Sequence, residues 1–115
     1  MLLLIVDDNP TVRRLIAKIV GDLVDDIREC SDGAEALVAY QQCHPDMTLM
    51  DIEMERLDGL SATREIIAAY PEAKIVIVSR HGDEPFRAAA REAGACGYVL
   101  KENLLDLRQL LGAAT

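Results

Sequence analysis

Four apolar runs in this chain stop in a reactive or charged side chain: Leu2 to Val6 at Asp7 and Asp8, Met47 to Met50 at Asp51, Ile75 to Val78 at Ser79, and Tyr98 to Leu100 at Lys101. If those ends meet in space, three carboxylates share one crevice. Like charges so close force a proton onto one of them unless a cation sits among them. Oxygen-only ligands in an open, partly hydrated site favour a hard ion. Magnesium fits because it keeps several waters and binds phosphate oxygens, and manganese is the alternative. Lys101 adds a second positive charge and Ser79 a hydroxyl, which completes a pocket for a phosphoryl group. Transfer of such a group needs in-line positioning and neutralisation of charge on its equatorial oxygens. Asp51, central among these ends, has the nucleophile's position. Each residue alone has a plainer reading, since an acid such as Asp8 or Asp58 can simply cap the next helix. The set carries the argument.

Elements of alternating type must hold these residues. The four apolar runs read as strands buried on both faces, the pattern of parallel sheets, and Ile27 to Cys30 reads as a more polar edge strand. Helical periods lie between them. Val12, Leu15, Ile16, Ile19 and Leu23 form one apolar stripe, with Asn9 as cap and Pro10 in the first helical position. Asp32 and Glu35 have capping-box spacing ahead of a helix carrying Leu37 and Tyr40. Asp58 caps a third helix whose Leu60, Thr63 and Ile67 face inward, a fourth runs from about Glu84 to Ala93, and a fifth from Leu104 to Leu111 ends near Gly112. Five β/α units in series predict an α/β fold, a flavodoxin-like three-layer sandwich of (βα)5 type with parallel strand order 2-1-3-4-5. In such sheets ligands bind outside the carboxyl ends of the strands, which is where the reactive residues stand.

Composition sets bounds on function. The length of 115 residues, half of them hydrophobic, predicts one domain over 1–115 that needs no disulfide or structural metal. A formal charge of −8 argues against direct contact with nucleic acid or an anionic membrane. The first residues, Met1 to Val6, run straight into acids without a cleavable signal pattern, and no apolar run reaches the ~20 residues of a membrane span, so a cytoplasmic protein is expected. Cys30, Cys43 and Cys96 lack metal-site or disulfide-framework spacing and read as reduced thiols, small core side chains being their commonest fate.

The sequence resembles the receiver domains of two-component response regulators over essentially its whole length. The matching pieces are Ile5-Val6-Asp7-Asp8, the run Asp51-Ile52-Glu53-Met54 leading to Asp58-Gly59, the strand ending in Ser79, and Ala93-Gly94-Ala95-Cys96-Gly97-Tyr98-Val99-Leu100-Lys101. The stretch from Tyr70-Pro71 to Lys101-Glu102 looks most like receivers that precede a helix-turn-helix domain. The resemblance implies that Asp51 takes a phosphoryl group from a sensor histidine kinase, a phosphotransfer protein or a small phosphodonor. It implies that Asp8, Asp51 and the backbone carbonyl of Glu53 bind magnesium, with Asp7 acting mostly through water. Lys101 would pair with a phosphoryl oxygen, Ser79 would move to hydrogen-bond the phosphate, and Tyr98 would rotate into the space that Ser79 leaves. The output surface would be the fourth helix, fifth strand and fifth helix, which also offers a homodimer contact. An effector domain or protein would read it, controlling transcription if the chain is part of a longer regulator; whether it is complete or a receiver cut from such a protein stays open.

Departures from the family pattern cluster near the site. Glu55 stands where Pro is frequent, Arg80 where a small residue is common, and Glu102 replaces the frequent Pro after Lys101, which disfavours a cis peptide there. Arg80 either narrows access to the phosphoryl group, joins its charge field or is a solvated loop arginine. Glu53 and His81, with Arg80, occupy positions that set the lifetime of the acyl phosphate in this family; taken alone, His81 reads as a solvated loop residue and His44 carries no partner signal. Two other functions compete: a receiver-like interaction module that works without phosphorylation, and an Asp-nucleophile phosphohydrolase, for which the chain lacks room for a cap domain. A flavin or nucleotide site is disfavoured because Asp8-Asn9-Pro10-Thr11 presents negative charge instead of a Gly-rich loop.

Overall fold

A computed structural model describes residues 1–114, with side chains described up to Gly112. Its strands are β1 (Leu2–Val6), β2 (Asp26–Cys30), β3 (Met47–Met50), β4 (Ile75–Ser79) and β5 (Gly97–Leu100), and its helices α1 (Pro10–Val20), α2 (Gly33–Cys43), α3 (Gly59–Ala69), α4 (Glu84–Ala93) and α5 (Asp106–Ala114). All strands pair in parallel, in the order β2-β1-β3-β4-β5. The order reverses at β1, because the chain leaves it first for β2 on one side and then returns to β3 on the other.

Side-chain alternation divides the core into two layers. Leu3, Ile5, Leu49, Val76 and Val78 face one side, where Ile16 and Val20 of α1 and Leu107 and Leu111 of α5 cover them. Leu4, Val6, Met50, Ile75 and Ile77 face the other, against Ala36 and Tyr40 of α2, Ala62 and Ile66 of α3 and Ala90 of α4. Both faces of the central strands are therefore dry, and β1, β3 and β4 need the continuous apolar sequences they have. The edges differ. β2 exposes Asp26, Arg28 and Glu29, and in β5 Val99 alone is fully buried, so the expectation of burial on both faces fails for β5, which has a neighbour on one side only.

Capping follows the sequence closely. Asn9 accepts from the amides of Thr11 and Val12, Asp32 from Ala34, and Asp58 from Ser61. Several finer expectations are corrected. Glu35 reaches back to the amide and hydroxyl of Ser31, one residue beyond the cap amide that a true capping box would engage. Leu15 is 47% exposed and Leu23 lies in a short 3-10 turn (Gly21–Leu23), while Val20 takes the buried place. In α3 the fully buried side chains are Ala62, Thr63 and Ile66, with Leu60 and Ile67 at the margin. A 3-10 turn at Lys101–Asn103 delays α5 to Asp106, and the helix runs through Gly112 to Ala114. His44 does have partners. It closes α2 in the left-handed conformation (φ 45°), its amide donates to Tyr40, and its ring meets Tyr40 and Tyr70 edge-on. Of the thiols, Cys30 is buried, Cys43 half-buried and Cys96 exposed, so only the first has the core role expected.

Candidate functional site

The sheet ladder brings the acids together. Val6 pairs with Met50, and the pairing continues one residue beyond both strands, where Asp51 N donates to Val6 O at 2.9 Å and Asp7 N to Cys30 O at 3.1 Å. Asp7 and Asp51 thus leave neighbouring strands at one level, about 4.8 Å apart in backbone. Carboxylate oxygens of Asp7, Asp8 and Asp51 lie within 4.8 Å of one another, Asp7 and Asp51 buried and Asp8 exposed. This cluster can hold a metal ion, and its all-oxygen character suits a hard one.

Lys101 comes from the end of β5 and reaches across. Its Nζ stands 3.0 Å from Asp7 Oδ2 and 3.3 Å from Asp51 Oδ1, on a side chain only 18% exposed. One ammonium cannot neutralise three carboxylates. The Asp51 carboxyl is accordingly pushed up from 3.8 to about 6, by burial first and by Asp7 next, against the pull of Lys101. Burial works to lower the Lys101 pKa, yet its bonds and charge contacts with Asp7 and Asp51 outweigh it and leave the ammonium more firmly protonated than usual.

Above this floor lies an open cavity of about 410 Å3, lined by Asp8, Asp51, Glu53, Ser79, Arg80 and Lys101 among others. Ser79, the last residue of β4, is buried, and its Oγ accepts from the His81 amide at 3.0 Å. Among the described residues that hydroxyl donates to no partner. Asn9, Val12, Met54 and Glu55 complete the wall. In the sequence Asn9 reads only as a cap, and Met54 and Glu55 only as family positions, because nothing in their spacing points toward a cavity.

The three residues expected to tune the site meet at its mouth. Glu53 Oε2 pairs with Arg80 Nη2 at 3.0 Å, and Glu53 Oε1 contacts His81 Nε2. The His81 bond first, with Arg80 behind it, holds the Glu53 carboxyl below its ordinary value. His81 is not a lone solvated histidine, since its ring stacks on Phe86 with centroids 4.3 Å apart and planes 9° from parallel. Arg80 is exposed yet tethered, at the rim of the cavity. Tyr98 stays outside the cavity lining; its hydroxyl donates to the His81 carbonyl, and the Arg87 guanidinium lies over its ring at 4.8 Å.

Comparison with known proteins agrees in extent and in fold. The response regulator receiver domain family matches residues 3–114. The transcriptional regulatory protein DegU of Brevibacillus brevis is 33% identical over 102 residues, covering 87% of this chain and 43% of that protein. The chemotaxis protein CheY of Listeria monocytogenes is 36% identical over 100 residues, covering 86% of this chain and 84% of CheY. A two-component response regulator of the LuxR family from Aurantimonas sp. SI85-9A1 superposes with a TM-score of 0.90 at 32% identity, over 97% of this chain and 82% of that one. This chain spans about half the length of the transcriptional regulators that it matches.

Proposed function

Because this chain belongs to the response regulator receiver domain family of two-component systems, we propose that Asp51 accepts a phosphoryl group and that the change switches an output. The observation that carries this reading is the placement of Asp51 between Asp7, Asp8 and Lys101 on the floor of an open cavity. The donor would be a sensor histidine kinase, a phosphotransfer protein or a small phosphodonor.

The residues present fit a magnesium ion, with manganese as a substitute. Three carboxylates face one ammonium, which leaves the site short of positive charge. Asp8, Asp51 and the carbonyl of Glu53 would hold the ion, and Asp7 would act through water. When bound, it neutralises the carboxylates and draws charge from the phosphoryl oxygens.

The chain's own groups do the rest. An oxygen of Asp51 attacks phosphorus as the bond to the donor's leaving group breaks on the opposite side. Lys101 already stands beside Asp51 Oδ1 and needs only a small shift to pair with a phosphoryl oxygen. The Ser79 hydroxyl donates to a second. A phosphoryl group adds about 1.5 to 2 negative charges and supports about one to three charge-assisted hydrogen bonds. Moving Ser79 toward it disturbs the bond from the His81 amide, and His81 also holds Tyr98. Through that loop the change would reach the face of α4, β5 and α5, where an effector or a second copy docks. Asp51 is spent as an acceptor and regenerated by hydrolysis, so the domain is a switch and not an enzyme with turnover. The acidic charge disfavours nucleic acid, and we place the domain in the cytoplasm. If the chain is part of a protein as long as its relatives, transcription is the output.

One observation favours a second reading, an interaction module that works unphosphorylated: the Arg80–Glu53 pair stands at the cavity mouth. Intact mass measurement after incubation with acetyl phosphate separates the two. A single phosphoryl adduct that needs magnesium and vanishes in Asp51→Asn supports the switch. No adduct, together with no beryllofluoride binding, supports the module.

A further inference from the structure

Asp32 does more than cap a helix. The side chain is buried at the turn from β2 into α2, far from the acids in sequence and outside the cavity. A cap needs one oxygen and one amide, and Asp32 Oδ1 supplies that bond to Ala34 N at 2.8 Å. The same oxygen also accepts from Leu57 N at 3.1 Å, and Oδ2 accepts from Arg56 N at 2.9 Å. Those amides belong to the loop between β3 and α3.

That loop is held at its other end by Gly59 N, which donates to Ile52 O at 2.9 Å. Between the two anchors lie Glu53, Met54 and Glu55, all lining the cavity. The approach is close along its length. A Cβ on Gly33 would stand 2.3 Å from the Leu57 carbonyl oxygen, and Arg56 pairs with Glu35 at 3.8 Å. We propose that Asp32 is a positioning residue, acting through the Arg56 and Leu57 amides to hold the loop whose Glu53 carbonyl completes the cation site.

Amide bonds from Ala34 and then Arg56 keep the Asp32 carboxyl below its ordinary value, so the clasp is charged at neutral pH. Charge-assisted bonds to backbone are the stronger kind. A loop without them has two amides to satisfy elsewhere, and its carbonyls lose their fixed direction. The inference rests on the magnesium reading given above.

Asp32→Ser separates the two roles, because serine caps a helix about as well as aspartate but has one short oxygen that cannot span to the loop. Asp32→Asn is the conservative variant: its carbonyl oxygen can keep Ala34 and Leu57, while its amide faces the Arg56 N–H. Three measurements suffice: amide hydrogen exchange at Arg56 and Leu57, thermal unfolding, and calorimetric titration with magnesium chloride alone. In Asp32→Ser we expect both amides to exchange faster, the chain to stay folded with a melting temperature lowered by the two lost bonds, and magnesium affinity in the folded protein to fall about tenfold or more. In Asp32→Asn, Leu57 should remain protected while Arg56 does not, with an intermediate affinity. If Asp32→Ser binds magnesium as tightly as wild type, Asp32 is only a cap. Should that variant not fold, wild-type affinity in Asp32→Asn with Arg56 unprotected overturns the inference equally. A wild-type chain that fails to bind magnesium overturns the reading of the site, and this inference with it.

Discussion

The hydroxyl of Tyr98 donates to the carbonyl of His81, the residue whose amide donates to Ser79 Oγ. One peptide segment therefore ties the two side chains expected to move together. Tyr98→Phe removes the hydroxyl and leaves the ring beneath Arg87. It should cost about 1 kcal/mol in urea unfolding, the net worth of one hydrogen bond. Phosphoryl uptake by Asp51 should be unchanged in mass spectrometry, because the hydroxyl lies outside the cavity. A variant that fails to take up the group would move Tyr98 from the relay into the acceptor site.

Asp51 makes the metal-free protein sensitive to pH in a direction opposite to most acids. Its carboxyl goes from 3.8 in the unfolded chain to about 6 in the folded one, with burial the main cause and Asp7 the next. The folded state thus binds the extra proton between those values. Stability is full below the lower value and is lost as pH rises through the upper one. The gap is worth about 3 kcal/mol. Asp51→Asn has no such titration, so in EDTA it should match wild type in acid and exceed it by about 3 kcal/mol above about pH 7. Magnesium at a hundredfold its Kd should restore about 2.7 kcal/mol to wild type and little to the variant. A difference that stays flat with pH in urea titrations contradicts the placement of Asp51 in a cation-poor pocket.

Much of this site was legible because two rules act on it together. Asp7, Asp51, Ser79 and Lys101 each end an apolar run, and a parallel sheet puts the carboxyl ends of its strands on one edge, so type and position coincide. Contacts made by loops left no such trace. Asp32 reads as a cap because its other partners are backbone amides 24 and 25 residues away, and amides carry no residue signature. Glu53 and His81 meet over 28 residues for the same reason: two loops fold over the cavity, and no periodicity sets their approach. Leu15 satisfied the helical spacing yet is exposed, because α1 rolls Ile16 and Val20 onto the sheet instead. α5 starts at Asp106 and not at Leu104, because Leu104 and Leu105 form a turn after the 3-10 turn at Lys101–Asn103, and a helical spacing of apolar residues does not separate a turn from a helix's first residues.

Thr48 lies in the middle of β3 with its hydroxyl fully buried and no hydrogen-bond partner among the described residues. Leu4 and Ile75 flank it on the neighbouring strands. An orphaned buried hydroxyl costs about 1 to 3 kcal/mol, and valine has nearly the same shape. Thr48→Val should therefore raise stability by about 1 kcal/mol, read as a higher urea midpoint at unchanged slope. Magnesium affinity should not move, since the residue is remote from the cavity. A loss of stability would mean that the hydroxyl has a partner in solution, such as a buried water.

Two glycines separate damage to the fold from damage to the site. Gly94 ends α4 with φ 105°, and a Cβ there would meet side-chain atoms of Ile67 at 3.0 to 3.4 Å. Alanine in that conformation costs about 1 to 2 kcal/mol, and Ile67 can give way. Gly94→Ala should be destabilised by that amount and keep its magnesium affinity. Gly59 differs in what it touches. A Cβ there would stand 1.8 Å from the backbone oxygen of Asp51, which no rotamer change can relieve. Either the start of α3 or the peptide after Asp51 must shift, and overpacking of this kind costs about 3 kcal/mol or more. The strain falls on the acceptor itself, so Gly59→Ala should lose magnesium binding and phosphoryl uptake even at temperatures where circular dichroism reports it folded. Equal magnesium affinities in the two variants at matched stability would show that the close approach of Gly59 to Asp51 does not set the geometry of the site.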